Sequence, residues 1–291
     1  MKISQSNIKP VFCIDITSNK NNTSINGSEF ITRTVSQQKI EEYDNKREEL
    51  DQTIGKSELP WPIQIIKLLC GWFSIIVFIS CLKAGFETAF KNAPALIIIG
   101  IVCGVLWGVL HFVSKKKQKL VLKNENVEAQ LENIDEDLVL IYEELGVPAD
   151  AVEIDVLTFK YKVKNGEIRP YASGLQTTPY LNASVKMYAT PEELYVADIE
   201  NVYSFKKTEI KSIITVNKRI AVSRWNKEED PRKGKFKPYK MSINNFGNVF
   251  FKPYYILEIE RNNQTFGIYF PCYELGIMEG LTGITASAIA N

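Results

Sequence analysis

Two uninterrupted apolar segments constrain this chain more than any other feature. The first, Ile63 to Leu82, has 20 residues and one charge, Lys67; the second, Ala93 to Val113, has 21 residues and no charge. As helices rising about 1.5 Å per residue, each would extend about 30 Å, the thickness of a bilayer core. The sequence therefore predicts a transmembrane hairpin over residues 61–114, with spans 63–82 and 93–113. Buried helices of a large soluble protein are the alternative.

The lysines around these segments predict the orientation of the hairpin. Four of them directly follow the second segment: Lys115, Lys116, Lys117 and Lys119. The ten-residue link between the segments holds only Lys83, Lys91 and Glu87 as charged residues. Since positive residues favour the cytoplasmic side, we expect both long termini to be cytoplasmic. A cleavable signal peptide is not expected, because the first apolar run begins about 60 residues into the chain.

Three glycines in the second segment, Gly100, Gly104 and Gly108, repeat every four residues. This spacing removes side chains from one helix face and lets another helix approach closely. The face could pack against the first span of the same chain, or it could form a dimer interface. Neither span has the polar residues of an ion or substrate path, which disfavours a channel or transporter.

A heptad pattern follows the second segment and predicts a coiled-coil stalk over residues 115–147 that continues the membrane helix. An Asn in such a seam often fixes the register. Upstream, residues 36–60 predict a shorter cytoplasmic helix with Ile40, Tyr43, Leu50 and Ile54 at similar spacing. The two helices could form an antiparallel stalk within one chain, which we prefer, or a parallel coil between two chains. The predicted seam consists of Leu120, Asn124, Val127, Leu131, Ile134, Leu138, Ile141 and Leu145.

The remaining segments carry strand patterns. Residues 1–35 predict a β-hairpin from two segments, Val11–Thr17 and Glu29–Val35, which would need a larger partner because one hairpin is marginally stable. Residues 148–291 predict many short strands, with a tight turn at Asn165-Gly166 and a closing helix near Cys272. The fold class is therefore α+β, with a C-terminal antiparallel barrel or sandwich capped by a helix.

Two runs carry a resemblance to a known family. They are "YATPEELYVADIENVYSFKKTEIKSIITVNKRIAVSRWNK" and, after a gap, "YYILEIERNNQTFGIYFPCYELGIMEGLTGI". An "ELYV" strand, an "EI-x-x-I" step that leads to Trp225, and a late strand pair before a helix occur in this order. Over residues 180–284 the chain resembles the pleckstrin-homology-like domains of bacterial membrane proteins. The resemblance implies a seven-stranded barrel with a helix, a binding role and a bacterial plasma membrane location.

A basic loop suggests what such a domain could bind. Residues 226–240, "NKEEDPRKGKFKPYK", lie beside Arg224. A polybasic loop near an anionic leaflet gains roughly 1 kcal/mol per contacting residue. A solvated loop is the alternative, and the preceding acidic residues weaken the contact. Nucleic acid is not expected, because stacking aromatics are not arranged among the basic residues. The candidate lipid contacts are Arg232, Lys233, Lys235, Lys237 and Lys240.

No pattern in the sequence indicates catalysis. Phosphate-loop, dinucleotide and hydrolase motifs are absent, His111 is the only histidine, and the five cysteines include no C-x-x-C pair. We therefore expect no catalytic residues, no metal and no cofactor. The sequence favours a membrane-anchored binding or scaffold protein whose cytoplasmic domain meets a protein or lipid partner. The alternative is a subunit of an oligomeric membrane complex, a sensor or pore accessory, that self-associates through the glycines and heptads.

Overall fold

The computed structural model describes residues 8–55, 59–122, 124–172, 178–223, 225, 227, 229–244 and 247–287, with only the helical backbone at 118, 119, 121 and 122. The chain divides into two compact units. We call Gln37–Val139 the helical unit, and Met1–Ser36 together with Leu140–Asn291 the β unit.

Five helices begin in the helical unit: α1 Gln37–Gly55, α2 Trp61–Ala84, α3 Phe86–Asn92, α4 Pro94–Leu122 and α5 Glu125–Glu144. Two of them, α2 and the Pro94–Lys117 part of α4, are long and apolar enough to cross a membrane. In the most apolar 18-residue stretches of these two helices, only 6% and 11% respectively is buried. The two helices contain the predicted spans except for Ala93, and the short α3 occupies most of the ten-residue link between the spans.

The helix after the second apolar segment does not continue through the heptads as predicted. Helix α4 ends at Leu122 and α5 begins at Glu125. Asn124 lies outside both: its Oδ1 accepts a hydrogen bond from the Asn126 N–H at 3.0 Å, and its carbonyl accepts one from Val127 at 2.8 Å. Asn is a favoured residue at the N-cap and a poor one in a helix interior. Asn124 therefore starts α5 and does not occupy a seam.

The other predicted seam residues differ in burial. Val127, Ile134 and Ile141, which are spaced by seven, are buried, as is Leu145. Leu120 and Leu131 are exposed, at 60% and 38%, and Leu138 is half-buried. The residues Val127, Ile134 and Ile141 of α5 thus form a buried stripe. The series of Leu131, Leu138 and Leu145 is buried only in part.

Helices α1 and α5 run in opposite directions within one chain. Lys46 of α1 forms an ion pair with Asp137 of α5, and the Ser36 N–H before α1 donates to Glu144 Oε1 at 3.1 Å. A later residue of α1 therefore meets an earlier residue of α5. This is the antiparallel arrangement of the intramolecular alternative.

The β unit contains two sheets. Its strands are β1 Lys9–Pro10, β2 Ile14–Asp15, β3 Ile31–Thr34, β4 Val152–Lys164, β5 Glu167–Tyr171, β6 Tyr180–Ala189, β7 Glu193–Ala197, β8 Asn201–Lys206, β9 Ile210–Val216, β10 Ile220–Ser223, β11 Ser242–Ile243, β12 Val249–Phe251, β13 Tyr254–Arg261 and β14 Gln264–Pro271. The first sheet has the order β1-β14-β13-β9. The second follows β11-β12-β10-β6-β7-β8-β3, with β4 beside β6, and β2 and β5 beside β4.

Side chains of both sheets pack into shared hydrophobic clusters, and the described strands do not close into a barrel, which was one of the two predicted forms. Phe205 and Leu194 of the second sheet pack in one cluster with Leu257 and Ile268 of the first. Helix α6, Leu275–Thr282, follows a 3-10 turn at Cys272–Glu274 and buries Met278 fully in the same cluster. The C-terminal helix thus covers the core, as the sequence predicted.

Local turn chemistry explains one hairpin, and long-range pairing explains the N-terminus. Asn165 and Gly166 have φ of 54° and 75°, the positive values that a two-residue turn between β4 and β5 requires. The N-terminal strands do not pair with each other as the predicted hairpin. Instead β1 and β2 run parallel to β14 and β4, and β3 runs antiparallel to β8. The N-terminus is therefore part of the β unit's sheets.

Candidate anion-binding site

A groove of about 680 Å³ in the β unit gathers three basic residues from separate parts of the chain. Arg219 precedes β10, Lys240 follows the 3-10 turn Gly234–Tyr239, and Lys252 lies between β12 and β13. All three side chains are exposed. Because separate elements supply them, folding concentrates positive charge in one concave surface.

Aromatic side chains form much of the groove wall and hold Arg219 in place. The Arg219 guanidinium carbon lies 4.9 Å from the centroid of the Phe250 ring, and its Nη2 donates to Ser242 Oγ at 3.0 Å. Tyr239 and Tyr255 also line the groove. A guanidinium over an aromatic face keeps its charge while losing conformational freedom, which suits it to anion binding.

The acidic residue of the lining is already engaged. Glu279 of α6 accepts a hydrogen bond from the Ala286 N–H through Oε1 at 2.8 Å. It forms no ion pair with Arg219, Lys240 or Lys252 among the contacts of the described residues. The described lining thus sets three basic residues against one acid, and the groove keeps a net positive charge.

The five predicted lipid-contact residues have different surroundings in the structure, and they do not form one cluster. Arg232 donates from Nε and Nη2 to the two carboxylate oxygens of Asp230 at 2.9 and 2.7 Å. This pairing lowers the pKa of Asp230 and raises the pKa of Arg232. Lys235 places its ammonium 5.2 Å from the Phe236 ring centroid. Lys233 and Lys237 are exposed outside the groove, and only Lys240 lines it.

The acidic residue Glu229, which precedes the basic run, stabilises the loop conformation and also reduces the net charge of the loop. The Glu229 carboxylate accepts a hydrogen bond from the Lys235 N–H at 3.2 Å and occupies the space where a Cβ of Gly234 would lie. Gly234 has φ of 50°, which favours glycine. Arg224, which we expected beside the loop, lies outside the described residues.

A buried polar network anchors the base of the loop. Lys227 places its ammonium 3.0 Å from Oδ1 of Asp155, whose side chain has no exposed surface. Ser184 donates to the same oxygen at 3.0 Å, and Tyr273 donates to Oδ2 at 2.8 Å. Asn182 in turn donates to the Tyr273 hydroxyl at 2.8 Å. A buried carboxylate needs such partners, because an unpaired charge in the interior is very unfavourable.

Several members of this network have a raised pKa or a buried atom that lacks a hydrogen-bond partner among the described residues. Glu274 accepts a hydrogen bond from the Asp155 N–H at 3.1 Å; burial, with the nearby Asp155 charge adding to it, raises the pKa of Glu274 to about 7. Asn182 Oδ1 is buried without a hydrogen-bond partner among the described residues. Burial also raises the pKa of Tyr273.

Trp225 connects the network to the basic loop. Its indole N–H donates to the Glu229 carbonyl at 2.9 Å, and its ring packs edge-on against Phe236 and Tyr273 at 5.0 and 5.7 Å between centroids. Trp225 thus packs the loop segment against Tyr273 of the buried network.

The chemistry of the groove suits binding. Cys272 lines it, but burial raises the pKa of its thiol to about 12, so the thiol stays protonated and weakly nucleophilic at neutral pH. Burial raises the pKa of Tyr239 and of Tyr255 as well. Within the described ranges, no three His, Cys, Asp or Glu residues converge as a metal site requires.

Arg219 and Lys252 were not identified from the sequence. They lie outside the basic run, and no spacing rule relates them to Lys240. The pairing of β10 with β12 brings their neighbourhoods together, through Ile220 opposite Phe251. The available signal was one basic residue next to each of two strands, Arg219 before β10 and Lys252 after β12. This signal indicates a site only when the pairing of β10 with β12 is known.

The predicted glycine face lies within the helical unit. A Cβ on Gly100 would meet Val77 of α2 at 2.7 Å, and one on Gly104 would meet Ser74 at 2.8 Å. Gly108 has no described atom within 4 Å of that position. Gly100 and Gly104 therefore allow α2 and α4 of one chain to approach closely.

No protein-family model matches this sequence, and neither a curated protein nor a solved structure is found to match it. The groove, the buried network and the two apolar helices are therefore the features that bear on its function.

Proposed function

We propose that this chain is a membrane-anchored, non-catalytic binding protein. Helices α2 and α4 would hold it in the bilayer, and the β unit would meet its partner on the cytoplasmic side. The β unit would be an open variant of the pleckstrin-homology-like modules of bacterial plasma membranes, because its described strands form two sheets and no closed barrel. The partner that the groove supports best is an anionic lipid headgroup, with an acidic protein surface as the other class that fits.

The exposure of the two apolar helices carries this proposal. A core helix of a soluble protein is mostly buried, whereas the most apolar windows of α2 and α4 are 6% and 11% buried. Exposed apolar surface on this scale is unfavourable in water by about 25 cal/mol per Å², and a bilayer removes that cost. The four lysines after the second span support the cytoplasmic orientation.

The groove supports the choice of an anionic partner. Arg219, Lys240 and Lys252 are exposed beside aromatic walls, and they outnumber Glu279, the one acid of the described lining. Anionic headgroups of the cytoplasmic leaflet attract basic clusters held near them. The high pKa of the Cys272 thiol supports a binding role over nucleophilic catalysis.

Membrane fractionation of the full chain tests the anchor. After expression in bacterial cells, we expect the chain in the membrane pellet after alkaline carbonate washing and in solution only after detergent. A control variant with Ile98→Asp, Val102→Asp and Val105→Asp in α4 and Ile76→Asp and Ile79→Asp in α2 places charges on exposed positions of both helices and should leave the membrane. Recovery of the folded unmodified chain in the soluble fraction would refute the anchor.

A further inference from the structure

A second cavity, of about 760 Å³, lies between α2 and α4 in the helical unit. Its lining is polar at one end, where Gln64 and Lys67 of α2 and Ser114 of α4 lie. The rest is largely apolar, with Leu68 and Ile75 of α2 among its walls. The cavity is therefore amphipathic along its length.

The charge of Lys67 has no counter-ion in the helical hairpin. Lys67 is the only charged residue of the first predicted span, and residues 59–114 contain a single acid, Glu87. That acid lies 3.4 Å from Lys91 in α3. Among the described residues Lys67 forms no ion pair, although its side chain is half-buried. An ionisable residue in a membrane segment normally faces a partner of opposite charge.

Close helix contacts define the floor of this cavity. The Trp107 indole lies on Gly71, where an added Cβ would come within 2.8 Å of the ring. Deeper in the hairpin, Gly104 meets Ser74. The two helices thus touch at small residues, and the cavity is the space left beside these contacts. An elongated apolar group fits there better than a bulky polar one.

We propose that this cavity binds one anionic phospholipid. The lipid phosphate lies at Lys67, with the polar side chains of the rim around the headgroup, and an acyl chain follows Leu68 and Ile75 along α2. Lys67 is four residues from the start of the span, or roughly 6 Å along the helix, so its ammonium reaches the depth of lipid phosphates.

The charge and position of Lys67 favour a lipid over other occupants. Basic pockets between membrane helices on the cytoplasmic side bind anionic headgroups, and Lys67 lies at the end of the hairpin that we assign to that side. A second copy of this chain would bring an apolar helix and no anion to Lys67, because the spans contain no acidic residue. This inference depends on the proposed membrane anchor.

Native mass spectrometry of the full chain in mild detergent tests the lipid site. The chain is mixed with palmitoyl-oleoyl phosphatidylglycerol or with the phosphatidylcholine of the same chains. We expect one phosphatidylglycerol retained in preference to phosphatidylcholine. Lys67→Gln should lower that retention roughly fivefold, the effect of losing about 1 kcal/mol of attraction. Lys83→Gln, at the opposite end of α2, is the matched control and should retain the lipid.

A second variant tests the apolar part. Ile75→Trp narrows the cavity while Lys67 remains, and it should lower retention of phosphatidylglycerol in a chain that elutes normally in size-exclusion chromatography. Equal retention of both lipids by the unmodified chain, or unchanged retention in Lys67→Gln, would overturn the site. Detection of a dimer of the chain without bound lipid would overturn the site as well. If carbonate releases the chain from membranes, the anchor fails; if the chain stays but lacks lipid preference, only the lipid site fails.

Discussion

The Lys227 ammonium lies 3.0 Å from Oδ1 of Asp155, a carboxylate with no exposed surface in the β unit. Lys227 itself is 20% exposed and stands at the start of the basic loop. The pair therefore links the loop to the buried network around Tyr273. Burial lowers the pKa of Lys227, but Asp155 and neighbouring acids outweigh it, and the net effect is a raised pKa.

Removal of the Lys227 charge should destabilise the β unit. Lys227→Met leaves the Asp155 carboxylate buried with only neutral donors, and breaking a buried pair costs about 3 kcal/mol at the lower end of the usual range. Urea unfolding of the full chain in mild detergent, followed by near-ultraviolet circular dichroism, measures the loss.

A double variant separates the ion pair from simple loss of packing. Asp155→Asn with Lys227→Met should cost clearly less than the sum of the single changes, because the second change removes the uncompensated charge. Lys164→Met, at an exposed position, should change stability by less than about 0.5 kcal/mol. Strict additivity of the two network variants would contradict the pairing.

Glu274 should make stability fall as pH rises. Its pKa is raised from 4.5 to about 7 in the folded chain, so between these values the folded state holds a proton that the unfolded state has lost. Linkage then gives stability that is greatest below about pH 4.5 and decreases as pH rises toward 7. Over that range the contribution is about 3 kcal/mol.

Comparison with Glu274→Gln isolates this effect. Gln keeps an oxygen for the Asp155 N–H but carries no charge, so the variant should gain stability relative to the unmodified chain as pH rises from 5 to 8. Glu192→Gln, at an exposed position, should follow the unmodified chain. A difference between Glu274→Gln and the unmodified chain that does not vary with pH would exclude a raised pKa.

Crosslinking should show that α1 and α5 pair within one chain. In a chain with Cys70→Ser and Cys103→Ser, the variant Lys46→Cys with Asp137→Cys should give an intramolecular product with a short thiol crosslinker. Denaturing electrophoresis distinguishes it from a dimer. Leu131→Cys alone should give little crosslinked dimer. A strong inter-chain product from Leu131→Cys would favour the parallel two-chain coil.

Local sequence rules predicted those parts of the fold that depend on neighbouring residues. The Asn165-Gly166 dipeptide predicted its turn because few other pairs tolerate two positive φ values. The apolar segments predicted α2 and α4 through length and composition. The late strand pair before the closing helix was likewise expected, and it forms as β13 Tyr254–Arg261 and β14 Gln264–Pro271.

Long-range pairing and competing local roles account for what the sequence did not reveal. The sequence pattern allows Asn124 either at a heptad position or at the start of a helix. In the structure its side chain stabilises the start of α5. Residues 148–291 were expected to form many short strands, whereas Gly234–Tyr239 form a 3-10 turn in which Phe236 is buried. The groove depends on the pairing of β10 with β12, which no local pattern specifies.

The groove of Arg219, Lys240 and Lys252 should contact an anionic membrane surface. Hydrogen exchange of the full chain tests it in nanodiscs of phosphatidylcholine, with or without phosphatidylglycerol. A matched control, Lys20→Gln with Lys164→Gln and Lys206→Gln, removes three exposed charges outside the groove.

We predict that backbone amides of residues 234–244 exchange at least about fivefold more slowly in the anionic discs, as an attraction near 1 kcal/mol implies. Arg219→Gln with Lys240→Gln and Lys252→Gln should abolish the difference, and the control should keep it. Equal exchange in both discs by the unmodified chain would contradict the account.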